Sequence, residues 1–203
     1  FLASAQYNLG GAYANGNGVA KDDKEAVKWY RLAAEQGLPM AQFNLGIMLH
    51  PGEGVPEDDL EAVKWFRLAA EQGYAKAQFN LGMAHAKGTG VPKDDTEAVQ
   101  WFRLAAEQRD AAAQDSLGSM YGLGLGVSRD DKEAVKWFWL AAEQGYPAAQ
   151  YNLGTMYENG KGVRKDDREA VRWYRLAAEQ GMARAQFNLG VLYRPGAGVP
   201  EDD

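Results

Sequence analysis

Glu25-Ala26-Val27-Lys28-Trp29-Tyr30-Arg31-Leu32-Ala33-Ala34-Glu35-Gln36-Gly37 is written again, with few changes, at Glu61–Gly73, Glu97–Arg109, Glu133–Gly145 and Glu169–Gly181. Trp29, Trp65, Trp101, Trp137 and Trp173 therefore stand 36 residues apart. Leu-Gly pairs beginning at Leu9, Leu45, Leu81, Leu117, Leu153 and Leu189, and Asp-Asp pairs beginning at Asp22, Asp58, Asp94, Asp130, Asp166 and Asp202, keep the same interval. A strict period of this length marks a solenoid, in which each unit buries its apolar face only against its neighbours. The chain reads as one array, 1–203, with complete repeats at 1–36, 37–72, 73–108, 109–144 and 145–180 and part of a sixth, one helix and a loop, at 181–203.

Each unit reads as two helices. Ala5, Leu9, Ala12 and Tyr13 recur at helical spacing, and Asn15-Gly16 can adopt the left-handed conformation that ends helix A. The glycine-rich segment to Lys21 is a loop with Val19 as its apolar anchor. Asp22, three residues before Glu25, resembles the N-cap of a capping box, and Asp23 adds negative charge at the positive end of helix B. Ala26, Val27, Trp29, Tyr30, Leu32, Ala33 and Ala34 cover two adjoining faces, as expected for a helix flanked on both sides, and Gly37 ends it. Gly10, Ala26, Ala33 and Ala34 let backbones approach while Trp29 fills the space between layers, so Trp→Ala is expected to cost about 3–5 kcal/mol. The expected fold is all-α, a superhelix (solenoid) of 36-residue helix-turn-helix repeats whose curvature makes a groove.

Composition narrows the partners. The 203 residues carry a net charge of −6, and acids and bases alternate through every copy, which argues against nucleic acid or an anionic membrane as the partner. No apolar run approaches the length of a membrane span, and the first residues do not read as a signal peptide. Cysteine is absent, which removes disulfides, thiolate metal sites and cysteine nucleophiles; a reducing compartment fits, and an oxidising one is not excluded.

Ala5-Gln6-Tyr7-Asn8-Leu9-Gly10, then Tyr13-Ala14-Asn15-Gly16-Asn17-Gly18-Val19, then the segment from Glu25 to Gly37 resemble the Sel-one-like repeat, a longer relative of the tetratricopeptide repeat. The resemblance runs through the whole chain. It implies a right-handed alpha-alpha superhelix with A helices on the concave surface, and a role as a protein-binding adaptor. A cysteine-rich branch of the family, associated with β-lactam binding, fits poorly because this chain has no cysteine.

Tetratricopeptide proteins hold extended peptides on helix A, and the matching positions here vary from copy to copy. Carried over, the wall comprises Tyr7, then Met40, Phe43, Asn44, Ile47 and His50, then Lys76, Phe79, Asn80, Met83 and Lys87. It continues through Asp115, Ser119 and Leu123, then Tyr151, Asn152, Thr155 and Glu158, and ends with Arg184, Phe187, Asn188, Val191 and Arg194. An aromatic ladder (Tyr7, Phe43, Phe79, Tyr151, Phe187) and an amide ladder (Asn8, Asn44, Asn80, Asn152, Asn188) both break at Asp115-Ser116. Two readings stand: the rings take partner side chains while the amides hold its backbone, or the rings pack on the neighbouring A helix and the amides brace the interface.

The fourth copy is irregular. Arg109 stands where the other copies end helix B with glycine, so the turn from Arg109 to Ala111 is expected to change. Trp139 falls in register with Arg31, Arg67, Arg103 and Arg175, which places a partly exposed indole on the convex side as a second contact, or flat over Val135 or a neighbouring helix.

No catalytic constellation emerges, and neither a cofactor nor a metal is expected. The Asp-Asp pairs have a capping explanation, His50 and His85 lack ligand spacing, and Gly122–Gly126 is a turn followed by acids that would repel phosphate. The leading reading is a non-catalytic scaffold that binds a protein or peptide in the A-helix groove. The alternative is a structural array, with end-to-end self-association through uncapped terminal repeats.

Overall fold

Aspartate side chains start the B helices. In the computed structural model, which describes residues 2–50 and 56–193, Asp22 accepts the backbone N–H groups of Lys24 and Glu25 at 3.0 and 3.1 Å, and Asp94, Asp130 and Asp166 repeat both bonds. Asp58 accepts Glu61 N–H at 2.8 Å. These bonds satisfy donors that the first helical turn leaves without partners. The reciprocal half of the expected capping box is replaced by another contact. The Asp22 N–H donates to the Tyr13 carbonyl near the end of helix A, and Asp58, Asp94, Asp130 and Asp166 do the same to Leu49, His85, Tyr121 and Tyr157. One aspartate thus closes two helix ends, and Glu25 is released to accept from Trp29 Nε1 and Lys28 Nζ, each at 3.1 Å.

The helices are α1 (Leu2–Asn15), α2 (Asp23–Glu35), α3 (Pro39–Leu49), α4 (Asp59–Glu71), α5 (Ala75–Lys87), α6 (Asp95–Glu107), α7 (Ala111–Leu123), α8 (Asp131–Glu143), α9 (Pro147–Asn159), α10 (Asp167–Glu179) and α11 (Ala183–Leu192). No strand occurs among the described residues. Odd helices are A helices and even ones B helices. The chain divides into two compact units, Phe1–Ala105 and Ala106–Asp203, and within each every helix packs on the next.

The core of the first unit is a row of rings laid over glycines. A Cβ added at Gly10, Gly46 or Gly82 would fall 2.6–2.8 Å from the nearest atom of Tyr30, Phe66 or Phe102, which shows how closely each A-helix backbone approaches the ring of its own B helix. Leu45 and Leu81 are fully buried beside them. The second unit repeats the device with Gly118 on Phe138 and Gly154 on Tyr174, and with Leu117 and Leu153 fully buried.

Two packing expectations change. Leu32 and its equivalent Leu68, 44% exposed, lie on the solvent side of their B helices, because the alanines at 33–34 and 69–70 already fill the interface. The tryptophans repeated every 36 residues do not share one role: Trp29, Trp65 and Trp101 are half-buried, whereas Trp137 and Trp173 are 8% and 3% exposed. The neighbouring ring, Tyr30 and its equivalents, is buried in all five copies and carries the central packing.

The turn at Arg109 also differs from expectation. Arg109 has φ 68°, close to the 82–87° of Gly37, Gly73, Gly145 and Gly181, and its N–H bonds the Ala106 carbonyl as Gly37 N–H bonds Ala34. The left-handed turn is retained at a cost, since Cβ crowds the carbonyl in that region. Asp110 then caps α7 by accepting Ala113 N–H at 2.9 Å.

Candidate partner-binding face

In the first unit the aromatic positions of the A helices lean on the B-helix rings of their own repeat. Ring centroids are 5.7 Å apart for Tyr7 and Tyr30, 6.0 Å for Phe43 and Phe66, and 5.9 Å for Phe79 and Phe102, all tilted. Phe43 also meets Tyr74 at 5.3 Å. The packing partner is therefore the B helix, where the alternative sequence reading placed the neighbouring A helix. One edge of each of these rings stays accessible, as all three are half-buried. The amides are held too: Asn44 Nδ2 donates to the Tyr7 hydroxyl at 3.5 Å and also hydrogen-bonds Tyr30, and Asn80 donates to the Lys76 carbonyl at 2.9 Å.

Five of the expected wall residues come together in this unit. A cavity of about 150 Å³ is lined by His50, Phe79, Asn80, Met83 and Lys87, with Val63 and Phe66 of α4 supplying apolar wall. Met40, Ile47, Lys76 and Lys87 are exposed, and neither lysine has an ion pair to another described residue. His50 is not on helix A proper. It precedes a proline, which disfavours helical backbone, and takes φ −122° and ψ 100° as the C-cap of α3, with Nδ1 in a short contact to Asp59 Oδ1.

In the second unit the corresponding positions are more occupied. Tyr151 packs on Tyr174 at 5.5 Å, Thr155 Oγ1 lies 3.0 Å from the Tyr174 hydroxyl, and that hydroxyl donates to Glu158 at 2.6 Å. Burial, and then the bond to Glu158, pushes the Tyr174 hydroxyl well above its ordinary value. Asn152 donates to Asp115, and Asn188 hydrogen-bonds Tyr174. Glu158 and Thr155 thus hold the repeat together at the position where the sequence suggested specificity. Ser119 and Val191 are half-buried, while Leu123, Arg184 and Phe187 are exposed, Phe187 by 70%. Arg194 lies outside the described residues. Trp139 is 46% exposed and, with Trp137, Leu140 and Arg109, lines a shallow recess on the B-helix side.

A glutamine network escaped the sequence reading. Gln42, Gln78, Gln114 and Gln150 are buried and donate to the carbonyls of Ala34, Ala70, Ala106 and Ala142 at 3.1–3.3 Å. Gln72, Gln144 and Gln180 donate in turn to the side-chain oxygens of Gln42, Gln114 and Gln150 at 2.7–2.9 Å. A buried amide left unpaired is costly, so these bonds fix the register of each A helix against two B helices. The signal was present as an invariant Ala-Gln pair within the chain, but glutamine is ordinarily a surface residue.

Serial helix pairs, each with an accessible A-helix face, define an α-solenoid repeat protein. The chain belongs to the Sel1 repeat family, whose pattern matches residues 3–38, 39–74, 75–110, 111–146, 147–182 and 183–203. Proteins of this family are generally protein-interaction scaffolds, and the fold is typically non-catalytic. Among solved structures the chain is similar to a protective antigen of uropathogenic Escherichia coli with the same repeat fold, at 43% identity and TM-score 0.92, covering 98% of this chain and 43% of that one. It is also similar to a Sel1 repeat protein of Oxalobacter formigenes, at 38% identity and TM-score 0.91, covering 98% of this chain and 80% of that one. An immunity protein of Pseudomonas aeruginosa shares the fold at 23% identity and TM-score 0.59, covering 96% of this chain and 72% of that one. The chain thus spans less than half the length of the E. coli antigen. No curated protein sequence matches it significantly. Among the described residues no helix is long and apolar enough to cross a membrane.

Proposed function

We propose that this array is a non-catalytic scaffold that holds a peptide or partner segment against its A helices. The observation that carries this reading is the cavity of the first unit, where His50, Phe79, Asn80, Met83 and Lys87 converge from separate turns. An apolar floor beside half-buried rings takes an apolar side chain, and the Asn80 amide and the Lys87 ammonium at its edge supply hydrogen bonds and charge for a partner backbone or carboxylate. Trp139 is a second contact point on the opposite helix set, where a half-exposed indole is suited to anchoring a partner.

The test is a peptide-library selection against the chain, followed by affinity measurements on Phe79→Ala and Lys76→Glu. Each is expected to weaken a selected peptide by about tenfold, the effect of losing one anchoring residue. Lys76 is exposed, so its variant separates recognition from folding. Unchanged affinity in both variants would move the binding surface elsewhere.

A further inference from the structure

The second repeat breaks a charge rule that the other described repeats keep. At the start of each B helix the first helical aspartate is paired with a base two residues earlier: Lys21 with Asp23 at 3.5 Å, Lys93 with Asp95 at 3.5 Å, Arg129 with Asp131 at 2.9 Å and Lys165 with Asp167 at 3.4 Å. In the second repeat Glu57 stands in place of that base, followed by Asp58 and Asp59. Three consecutive carboxylates replace one balanced pair. Asp58 is occupied with the Glu61 N–H, and among the described residues neither Glu57 nor Asp59 forms an ion pair with a lysine or arginine; the partner of Asp59 is His50.

The same repeat alone brings an imidazole to this place. His50 occupies the position held by Ala14, Ala86, Gly122 and Glu158 in its sisters. Its extended backbone carries the ring off the end of α3 and onto Asp59. His50, Glu57 and Asp59 offer one ligand atom each, and all three lie within 4.8 Å of one another. Two donors on one tetrahedral ion at about 2.1 Å each stand about 3.4 Å apart, so a turn of the long Glu57 side chain by little more than about an ångström brings the set into ligand range.

We propose that His50, Glu57 and Asp59 form a divalent transition-metal site confined to the second repeat. One imidazole nitrogen and two carboxylate oxygens suit a borderline cation such as zinc, and the ion supplies the positive charge that lysine or arginine supplies elsewhere in the array. His50 and Asp59 also line the cavity that contains Phe79, Met83 and Lys87, so the remaining coordination positions open toward that space, to water or to a donor group placed there. The third-repeat loop presses on the same helix start: a Cβ at Gly90 would lie 2.3 Å from the Asp59 carbonyl oxygen, so the backbone beneath the site is held in place. The other histidine plays no part, since His85 is buried and hydrogen-bonded to Arg67.

Calorimetric titration of the 203-residue chain with zinc chloride, without a histidine tag, tests this, together with the visible spectrum of the cobalt-loaded protein. One zinc ion per chain is expected in the wild type. His50→Ala and Glu57→Lys are each expected to weaken binding by about a hundredfold or abolish it, since even outer-shell partners of metal ligands are worth about tenfold to a hundredfold. Glu57→Lys installs the residue found at Lys21, Lys93 and Lys165, so an unchanged thermal melt separates loss of metal from loss of fold. No heat at millimolar zinc, or the same stoichiometry and affinity in both variants, overturns the proposal. Neither outcome bears on the peptide-binding reading, which is measured without metal.

Discussion

Asn152 donates its side-chain amide to the carboxylate of Asp115 at 2.8 Å, the same bond from one repeat to the one before it that Asn44 makes to the Tyr7 hydroxyl. Asp115 therefore stands in an aromatic slot, and its carboxyl inherits surroundings that suit a ring. Burial raises its pKa to about 6, and the amide only partly offsets that.

The consequence is a pH-dependent cost. The folded state holds the Asp115 proton more tightly than the unfolded chain does, so stability is highest below pH 3.8 as far as this group is concerned and falls as pH rises toward about 6. The full loss is up to about 3 kcal/mol, at about 1.4 kcal/mol per pKa unit. Asp115→Asn keeps an oxygen acceptor for Asn152 and removes the charge. Urea unfolding at neutral pH is expected to show the variant more stable by roughly 1–3 kcal/mol, with the difference gone near pH 4. A variant that is no more stable at neutral pH would show that the carboxylate is not penalised there.

Arg109 gives a second test. A side chain at φ 68° in a turn that four sister copies make with glycine is strained, and the backbone shows that the array keeps the turn. Arg109→Gly is expected to stabilise by about 1 kcal/mol, a little reduced by the added freedom of glycine in the unfolded chain. Differential scanning calorimetry should place the melting temperature about 2–4 °C higher. A lower one would mean that the Arg109 side chain contributes more than its backbone costs.

Glycine-ring packing gives a third. The Cβ of Gly46→Ala would sit 2.6 Å from the Phe66 ring, so overpacking is expected to cost about 1–3 kcal/mol. Phe66→Ala is expected to cost about 3–5 kcal/mol, and Trp29→Ala less than that because the indole is half-buried. In a double-mutant cycle Gly46→Ala with Phe66→Leu should cost less than the sum of the two, since the smaller side chain makes room for the methyl. Additive costs would place the strain elsewhere.

Much of the site was legible in part. The 36-residue spacing of Trp29 and its equivalents named the helix pairs and their faces, because a repeat that cannot fold alone must show the same apolar residues at every copy. The variable positions of helix A were also legible, as packing does not dictate them. What each of those side chains touches was not. Glu158 reads as a surface charge until Tyr174 is seen to donate to it, and Gln42 reads as a surface amide until the Ala34 carbonyl is found behind it.

Sequence by itself determined the helix boundaries, the capping by Asp22 and its sisters, and the family, since all of these depend on residues within a few positions of one another or on the period between copies. Only the tertiary structure decided that Tyr30 and its equivalents fill the core in every copy while the tryptophans are buried only at Trp137 and Trp173, that Arg109 keeps a glycine's turn, and that His50 meets Asp59. Those outcomes depend on distances between helices, which are set by how closely backbones can approach once every buried group has found its partner.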